Sequence, residues 1–321
     1  MSNNIKSVLL VGAGIMAQDY AKVLNSQDIK FTVIGRGISS AAVFKEKTGV
    51  DVVTGGLKSY LNSNSALPDA AIIAVGVEQL AETTLMLLER GVKRVLVEKP
   101  AGINTEQIAR IVGSAKQQNA QVFVAYNRRF YAATIKAREI IAADGGVTSF
   151  NFEFTEWSHV IEPLQADPVV KQHWFLANST HVVDLAFFLG GDPGEISSYT
   201  TGSLSWHPSA AAFAGAGVTK EGALFSYQAN WAAPGRWGVE MLTNRHRLIF
   251  RPMEQLHIQD IGSVAISKVE LDDELDQKFK PGLYRQVESF LSSQVPDDML
   301  RIDDHLTRTE RIYCRIAPSQ D

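Results

Sequence analysis

Six short apolar runs alternate with stretches of helical period over the first 125 or so residues, and few folds accept that alternation. The runs are Ser7–Val11, Lys30–Ile34, Val50–Val53, Ala70–Val75, Val92–Val97 and Gln121–Ala125. Their centres, such as Val8–Val11, Ala70–Val75 and Val95–Val97, are continuously apolar, as in strands covered on both faces. Between the first two runs, Ala17, Tyr20, Ala21 and Leu24 recur at spacings of 3, 1 and 3, which predicts an amphipathic helix. Thr83, Leu87 and Leu88 repeat the pattern before Gly91 stops it. Strand and helix in strict alternation predict a doubly wound parallel sheet, an α/β fold of the Rossmann type.

After residue 127 the texture changes. A helix rich in Ala and Ile is predicted from about Tyr131 to Ala143, ending at Asp144-Gly145-Gly146. Near-consecutive strands follow: Ser149–Thr155, Glu195–Leu204, Ala223–Trp231, Trp237–Thr243 and Arg247–Phe250. With few helices among them, they predict an α+β domain with an open, mostly antiparallel sheet. A length of 321 residues suits two domains, which we place at 1–127 (dinucleotide binding) and 128–321 (substrate binding and oligomerisation). All five tryptophans (157, 174, 206, 231, 237) fall in the second. Packing accounts for most of them; stacking on a sugar ring would account for one or two, with Trp174 the candidate.

A net charge of −4 argues against nucleic acid or an anionic membrane as partner. Cys314 is the single cysteine, so no intrachain disulfide and no multi-thiolate zinc site is expected, and no metal site is nominated. The opening MSNNIK is polar, and glycine interrupts the apolar run behind it. A soluble, cytoplasmic protein is the expectation.

VGAGIMA (Val11–Ala17) closes the first strand and opens the first helix as G-x-G-x-x-A. Gly12 permits the tight turn, and Gly14 lets backbone approach a pyrophosphate at the positive end of the helix. A lone glycine pattern is weak, but here strand, helix and βαβ context agree. The second strand then ends TVIGRGISS, with Gly35 and Arg36 where an NAD site carries an acid. A guanidinium beside Ser39 and Ser40 suits a 2′-phosphate. NADP(H) is therefore favoured, while a solvated Arg36 would leave NAD possible. The candidate cofactor residues are Gly12, Gly14, Ile15, Met16, Ala17, Gly35, Arg36, Ser39, Val75, Gly76 and Glu98.

The fifth run ends on Glu98-Lys99-Pro100, at the carboxyl edge where open α/β sheets bind ligands. Pro100 keeps Lys99 out of helical conformation and so fixes its direction. An ammonium buried there would have its pKa lowered into a useful range for proton transfer. A second constellation is HWFLANSTHVVDLAFFLGGDP, from His173 to Pro193. Asn178 or Ser179 is the expected N-cap of a buried helix ending at Gly190-Gly191, with His181 in its first turn and Asp184 three residues on. The helix's positive end would keep His181 neutral and able to act as a base. A core histidine tied to Asp184 fits the same letters.

GAGIMA, EKP at 98–100, YNRRF at 126–130 and H-x-x-D at 181–184 together resemble the Gfo/Idh/MocA oxidoreductases, over essentially the whole chain. The resemblance implies a Rossmann domain, then a sheet domain that often makes dimers or tetramers through its bare face. It implies hydride transfer at a carbinol carbon of a sugar, cyclitol or related compound, with Lys99 positioning the hydroxyl and His181 exchanging its proton. Many members carry an aspartate four residues before the histidine; here that position is Ala177, beside Asn178. Asn178 hydrogen-bonds but accepts no proton, so the relay rests on Lys99 and His181, with Asp184 in support. Asn127, Arg128, Trp174 and Asn178 are the substrate candidates. Ser158 to Lys171 reads as a lid, and Arg128, Arg129 and Lys171 could meet an acidic substrate. A glycosidase or lyase with transient redox, or a non-catalytic dinucleotide sensor, are the alternatives.

Overall fold

The computed structural model describes residues 5, 7–64, 66–294 and 297–317, which fall into two compact units. In the first, the six apolar runs become β1 (Val8–Val11), β2 (Phe31–Ile34), β3 (Val52–Val53), β4 (Ala70–Ile73), β5 (Arg94–Glu98) and β6 (Gln121–Ala125). Between them run α1 (Ile15–Ser26), α2 (Ile38–Thr48), α3 (Gly56–Ser63), α4 (Leu80–Glu89) and α5 (Thr105–Gln117). The strands pair in parallel in the order 3-2-1-4-5-6. The order reverses at β1, whose neighbours are β2 and β4, and a crevice for a dinucleotide forms at such a reversal. Val11 lies level with Ile34 on one side and Ile73 on the other, so the loops leaving these three strands meet at one edge. Each helix covers the sheet with one stripe: on α5, Ile108, Ile111, Val112 and Ala115 point inward. Asn104 caps that helix, its side chain accepting the Gln107 N–H at 2.9 Å.

The second unit begins with α6 (Ala132–Ala143), β7 (Ser149–Glu153), α7 (Ser158–Ile161), α8 (Pro168–Gln172) and α9 (Thr180–Gly190). There follow β8 (Pro193–Thr201), β9 (Ala212–Thr219), β10 (Leu224–Asn230), β11 (Gly238–Leu242), β12 (His246–Phe250), β13 (His257–Asp260) and β14 (Ser267–Lys268). The sheet order is 14-13-12-11-7-10-9-8, and every pair is antiparallel except β7 with β10. Phe150 and Phe152 on β7 meet Phe187 of α9 edge-on, with ring centroids 5.7 and 5.6 Å apart. β9, like β13 and β14, is a strand that sequence reading missed: in AFAGAGVT two Ala and two Gly separate Phe213 from Val218 and Thr219 and blur the alternation. Its small residues are there for their neighbours. Gly217 and Gly215 face Phe225 and Tyr227 on β10, and a Cβ at Gly217 would come within 2.6 Å of the Phe225 ring.

The expected N-cap of α9 is not one. A wider π-helical turn, Phe175–Ser179, leads straight into it, and Ser179 sits in helical conformation at φ −66°, ψ −22°. His181 therefore lies within a continuous helix rather than at an open N-terminus, and the argument from the helix's positive end does not apply.

The expected single cut after residue 127 is too simple. The first unit comprises 1–127 with 275–307, and the second 128–274 with the residues from 308 onward. The returning segment starts within α10 (Glu274–Lys278) and carries α11 (Leu283–Leu291) and β15 (Leu300–Arg301). β15 pairs antiparallel with β6, Leu300 opposite Val124, and becomes the seventh strand. α11 buries Leu283, Val287 and Phe290, and Phe290 meets Phe123 of β6 edge-on at 6.2 Å. Arg94 donates to the carbonyls of Phe290 and Ser292, each at 2.8 Å. A two-residue strand has no pattern to read, which is why the return was not legible. No described helix is long and apolar enough to cross a membrane.

Candidate active site

In the first unit a cavity of about 1110 Å³ opens at the carboxyl ends of β1, β2 and β4. Gly12, Gly14, Ile15, Met16, Gly35, Arg36, Val75 and Gly76 line it. Three other nominees do not: Ala17 is fully buried on α1, Ser40 lines the cavity in place of Ser39, and Glu98 lies elsewhere. Gly12 stands at φ +126° with its N–H donating to the Ile34 carbonyl at 2.8 Å. A Cβ there would come within 2.7 Å of the Ala74 carbonyl carbon, so only glycine fits. Gly14 is different: a Cβ on it meets nothing within 4 Å. It precedes α1 without a side-chain cap, leaving the first-turn N–H groups unclaimed by any side chain at that end. A cavity of this size, with bare helix donors at an open glycine, fits a dinucleotide whose pyrophosphate takes those donors. Among the described lining residues the charged ones are Arg36 and Lys58, and none is a carboxylate.

Glu98 ends β5 and Lys99 opens the turn after it, with Ala101 closing that turn through its N–H to the Glu98 carbonyl at 3.0 Å. The Lys99–Pro100 bond is cis, and the Pro100 carbonyl bonds the ring of His305 at 2.9 Å. Glu98 Oε1 accepts from the hydroxyl of Tyr20, a fully buried residue of α1, at 2.7 Å. Burial pushes the Glu98 carboxyl above the ordinary carboxylate range, against the opposing pull of Tyr20, Lys99 and Lys280. The folded state therefore disfavours ionised Glu98, and stability declines as pH rises from the ordinary carboxylate value through the raised one. Tyr20→Phe removes the bond that holds the carboxylate. It is expected to cost about 1–2 kcal/mol at neutral pH and much less in acid. Urea unfolding at about pH 4 and about pH 8 checks it; equal losses at both would mean that the hydroxyl is not supporting a charge.

In the second unit, His181 is buried, its ring 6.3 Å from that of Trp237. The guanidinium groups of Arg128 and Arg236 lie 4.9 and 4.6 Å from the centre of the same indole, and Arg236 also covers Trp157 at 4.6 Å. Arg236 stands 3.6 Å from Glu156, a carboxylate only 2% exposed. Glu156 Oε1 accepts from Asn178 Nδ2 at 2.9 Å and Ser179 Oγ at 2.7 Å. Asn178, nominated as a cap, is thus held by an acid.

Other nominees have structural work. Asp184, read as the partner of His181, has both oxygens on Arg129, at 2.6 and 2.7 Å. Asn127 is buried and donates its amide to the Pro281 carbonyl at 2.9 Å. Trp174 packs edge-on against Trp206 at 6.0 Å. The Ser158–Lys171 stretch, read as a lid, holds α7 and most of α8; Trp206 donates to Ser158 from outside it, and Lys171 donates to the Glu162 carbonyl within it, each at 2.7 Å.

Residues 6–126 match the model of the oxidoreductase family with an NAD-binding Rossmann fold, GFO_IDH_MocA. Over that stretch the chain is similar to the Gfo/Idh/MocA oxidoreductases. The mouse trans-1,2-dihydrobenzene-1,2-diol dehydrogenase (Mus musculus) is 28% identical over 136 residues, 41% of this chain and 40% of that protein. The chain thus spans about two-fifths of the length of that relative. Two solved structures share the fold over almost all of both chains. One is an oxidoreductase from Agrobacterium radiobacter in complex with NAD+, L-tartaric acid and magnesium, at TM-score 0.77 and 12% identity over 98% of this chain and 97% of that one. The other is levoglucosan dehydrogenase in complex with NADH, at TM-score 0.78 and 17% identity over 97% and 95%.

Glu156 is a residue that sequence reading overlooked. Its signal was present: Phe150, Phe152, Phe154 and Glu156 share the parity of inward-facing positions, and all four are buried. A carboxylate at the end of an inward row needs partners. Here Asn178, Ser179 and Arg236 supply them.

Proposed function

We propose that this protein is an NADP(H)-preferring dehydrogenase or reductase of small polyhydroxylated compounds (sugars, cyclitols or their derivatives), acting in the cytoplasm as a homodimer or homotetramer. The observation that carries the reading is the glycine-lined cavity with Arg36 at the end of β2 and no carboxylate among its described lining residues. An acid there would take the ribose 2′-OH of NAD; a guanidinium favours the phosphorylated cofactor. The substrate class rests on the family and on relatives named for a dihydrodiol and for levoglucosan.

When bound, the nicotinamide supplies the acceptor or donor of a hydride at a carbinol or carbonyl carbon. The chain's own residues do the rest. Lys99 orients the substrate hydroxyl and His181 takes or returns its proton. Asn178 spends its amide nitrogen on Glu156, which leaves its carbonyl oxygen as acceptor for a second hydroxyl. Arg128 meets electron-rich oxygens, and Trp157, 46% exposed, offers a ring face to a sugar.

The test is absorbance at the reduced-nicotinamide band, with both cofactors and a panel of polyols, sugars, sugar acids and nucleotide sugars. Turnover of one class is expected, faster with NADP(H). Lys99→Ala and His181→Ala should each lower kcat/KM by about 10²-fold, the scale of one proton-transfer group. Product formed without net cofactor change would overturn the dehydrogenase in favour of transient redox. Turnover untouched in Lys99→Ala would remove the lysine from the chemistry.

A further inference from the structure

We infer that Lys58, with Arg36, forms the subsite for the cofactor's 2′-phosphate; this rests on the NADP(H) reading above and assigns it a second determinant. A phosphate monoester carries close to two negative charges at neutral pH, and one guanidinium neutralises only one of them. Ser40 adds no donor, because its hydroxyl already donates to the Gly37 carbonyl at 3.1 Å. A second cation on a neighbouring loop would balance the other charge.

The structure laces that loop to Arg36. The Gly35 N–H donates to Val53 at 3.0 Å, Gly56 to Gly35 at 2.9 Å and Gly55 to Arg36 at 3.3 Å. Gly55 and Gly56 both take left-handed conformations, φ +94° and +79°, which let the chain reverse and start α3 at once. A Cβ on Gly56 would lie 3.4 Å from Arg36 Cγ, so the stem of the arginine passes over that glycine. Lys58 follows two residues later, exposed and lining the same cavity. Neighbouring acid does not compete for it: Asp51, which precedes β3, is 2.6 Å from Lys45. Two cations on two hydrogen-bonded turns, with no carboxylate among the described lining residues, are a site for a dianion at the adenosine end.

The experiment measures dissociation constants of the full chain for NADPH and NADH by quenching of its tryptophan fluorescence. Adenosine 2′,5′-bisphosphate and 5′-AMP serve as competitors lacking the nicotinamide. Wild type, Lys58→Ala, Lys58→Arg and Arg36→Ala are compared, with circular dichroism to confirm folding. Lys58→Ala should weaken NADPH and the bisphosphate about tenfold and leave NADH and 5′-AMP within about twofold, one charged hydrogen bond being lost. Lys58→Arg should restore the preference, and added salt should shrink the difference between wild type and Lys58→Ala. Wild type preferring NADPH, with that preference unchanged in Lys58→Ala, would overturn this assignment and leave the cofactor reading standing. Wild type binding NADH as tightly as NADPH would overturn both.

Discussion

Replacing Asp184 with alanine is expected to cost about 3–5 kcal/mol of stability, the scale for leaving one buried charge without its partner. The carboxylate is 1% exposed and Arg129 4%. Arg129 Nε and Nη2 donate to separate oxygens, a fork-to-fork pair that fixes both groups. Arg308 reaches the same carboxylate at 3.7 Å and Asp192 at 2.9 Å, so a residue beyond the return segment is tied to α9. Alanine would remove the carboxylate that accepts from two nitrogens of the buried Arg129 guanidinium, which lies 4.7 Å from the Phe188 ring centre. Asp184→Asn keeps the shape and should cost less. Urea unfolding decides the matter. A loss near zero, accompanied by lost turnover, would return Asp184 to the catalytic role first read from its spacing with His181.

Gly12→Val should be nearly as damaging, and Gly14→Ala supplies its control. At Gly12 a side chain meets the Ala74 carbonyl on a backbone at φ +126°. Overpacking and left-handed strain together predict about 3 kcal/mol of destabilisation and at least about 10²-fold weaker dinucleotide binding. At Gly14 the added methyl faces open space, so stability should hold or rise by about 0.5 kcal/mol. Binding should nevertheless fall, because the methyl occupies the approach to the pyrophosphate. Thermal melts with and without NADPH separate the two effects. Equal behaviour of both variants would mean that the glycines serve the turn alone.

Much of this was legible in advance, and the reasons divide cleanly. Buried parallel strands must be continuously apolar, so β1, β4 and β5 announced themselves, and Gly12 was readable because steric demand at a turn admits one residue type. β9 was hidden because its Ala and Gly residues serve the rings of β10 rather than any propensity of their own. The cap of α9 failed because a π-helical turn, which leaves no mark in the sequence, occupies the residues that would have capped it. Asp184 and Asn127 each also serve the fold, which the sequence did not show, because polar residues near a site pattern look alike whether they meet substrate or each other. Only coordinates reveal Arg129 and Pro281 as their partners. Glu156 could have been found by parity, by extending the alternation of Phe150, Phe152 and Phe154 one step further.

The return of 275–307 to the first unit has a consequence for the order of synthesis. Domains usually fold as they leave the ribosome, first-made first. Here the second unit is an insertion within the first, so the sheet of six parallel strands emerges with β6 as an open edge and Phe123 without Phe290. That edge stays unpaired while some 170 further residues are made. Only when Leu300 and Arg301 arrive does β6 gain its second neighbour. The nascent first unit thus waits, with a strand exposed, for the whole second unit to be built.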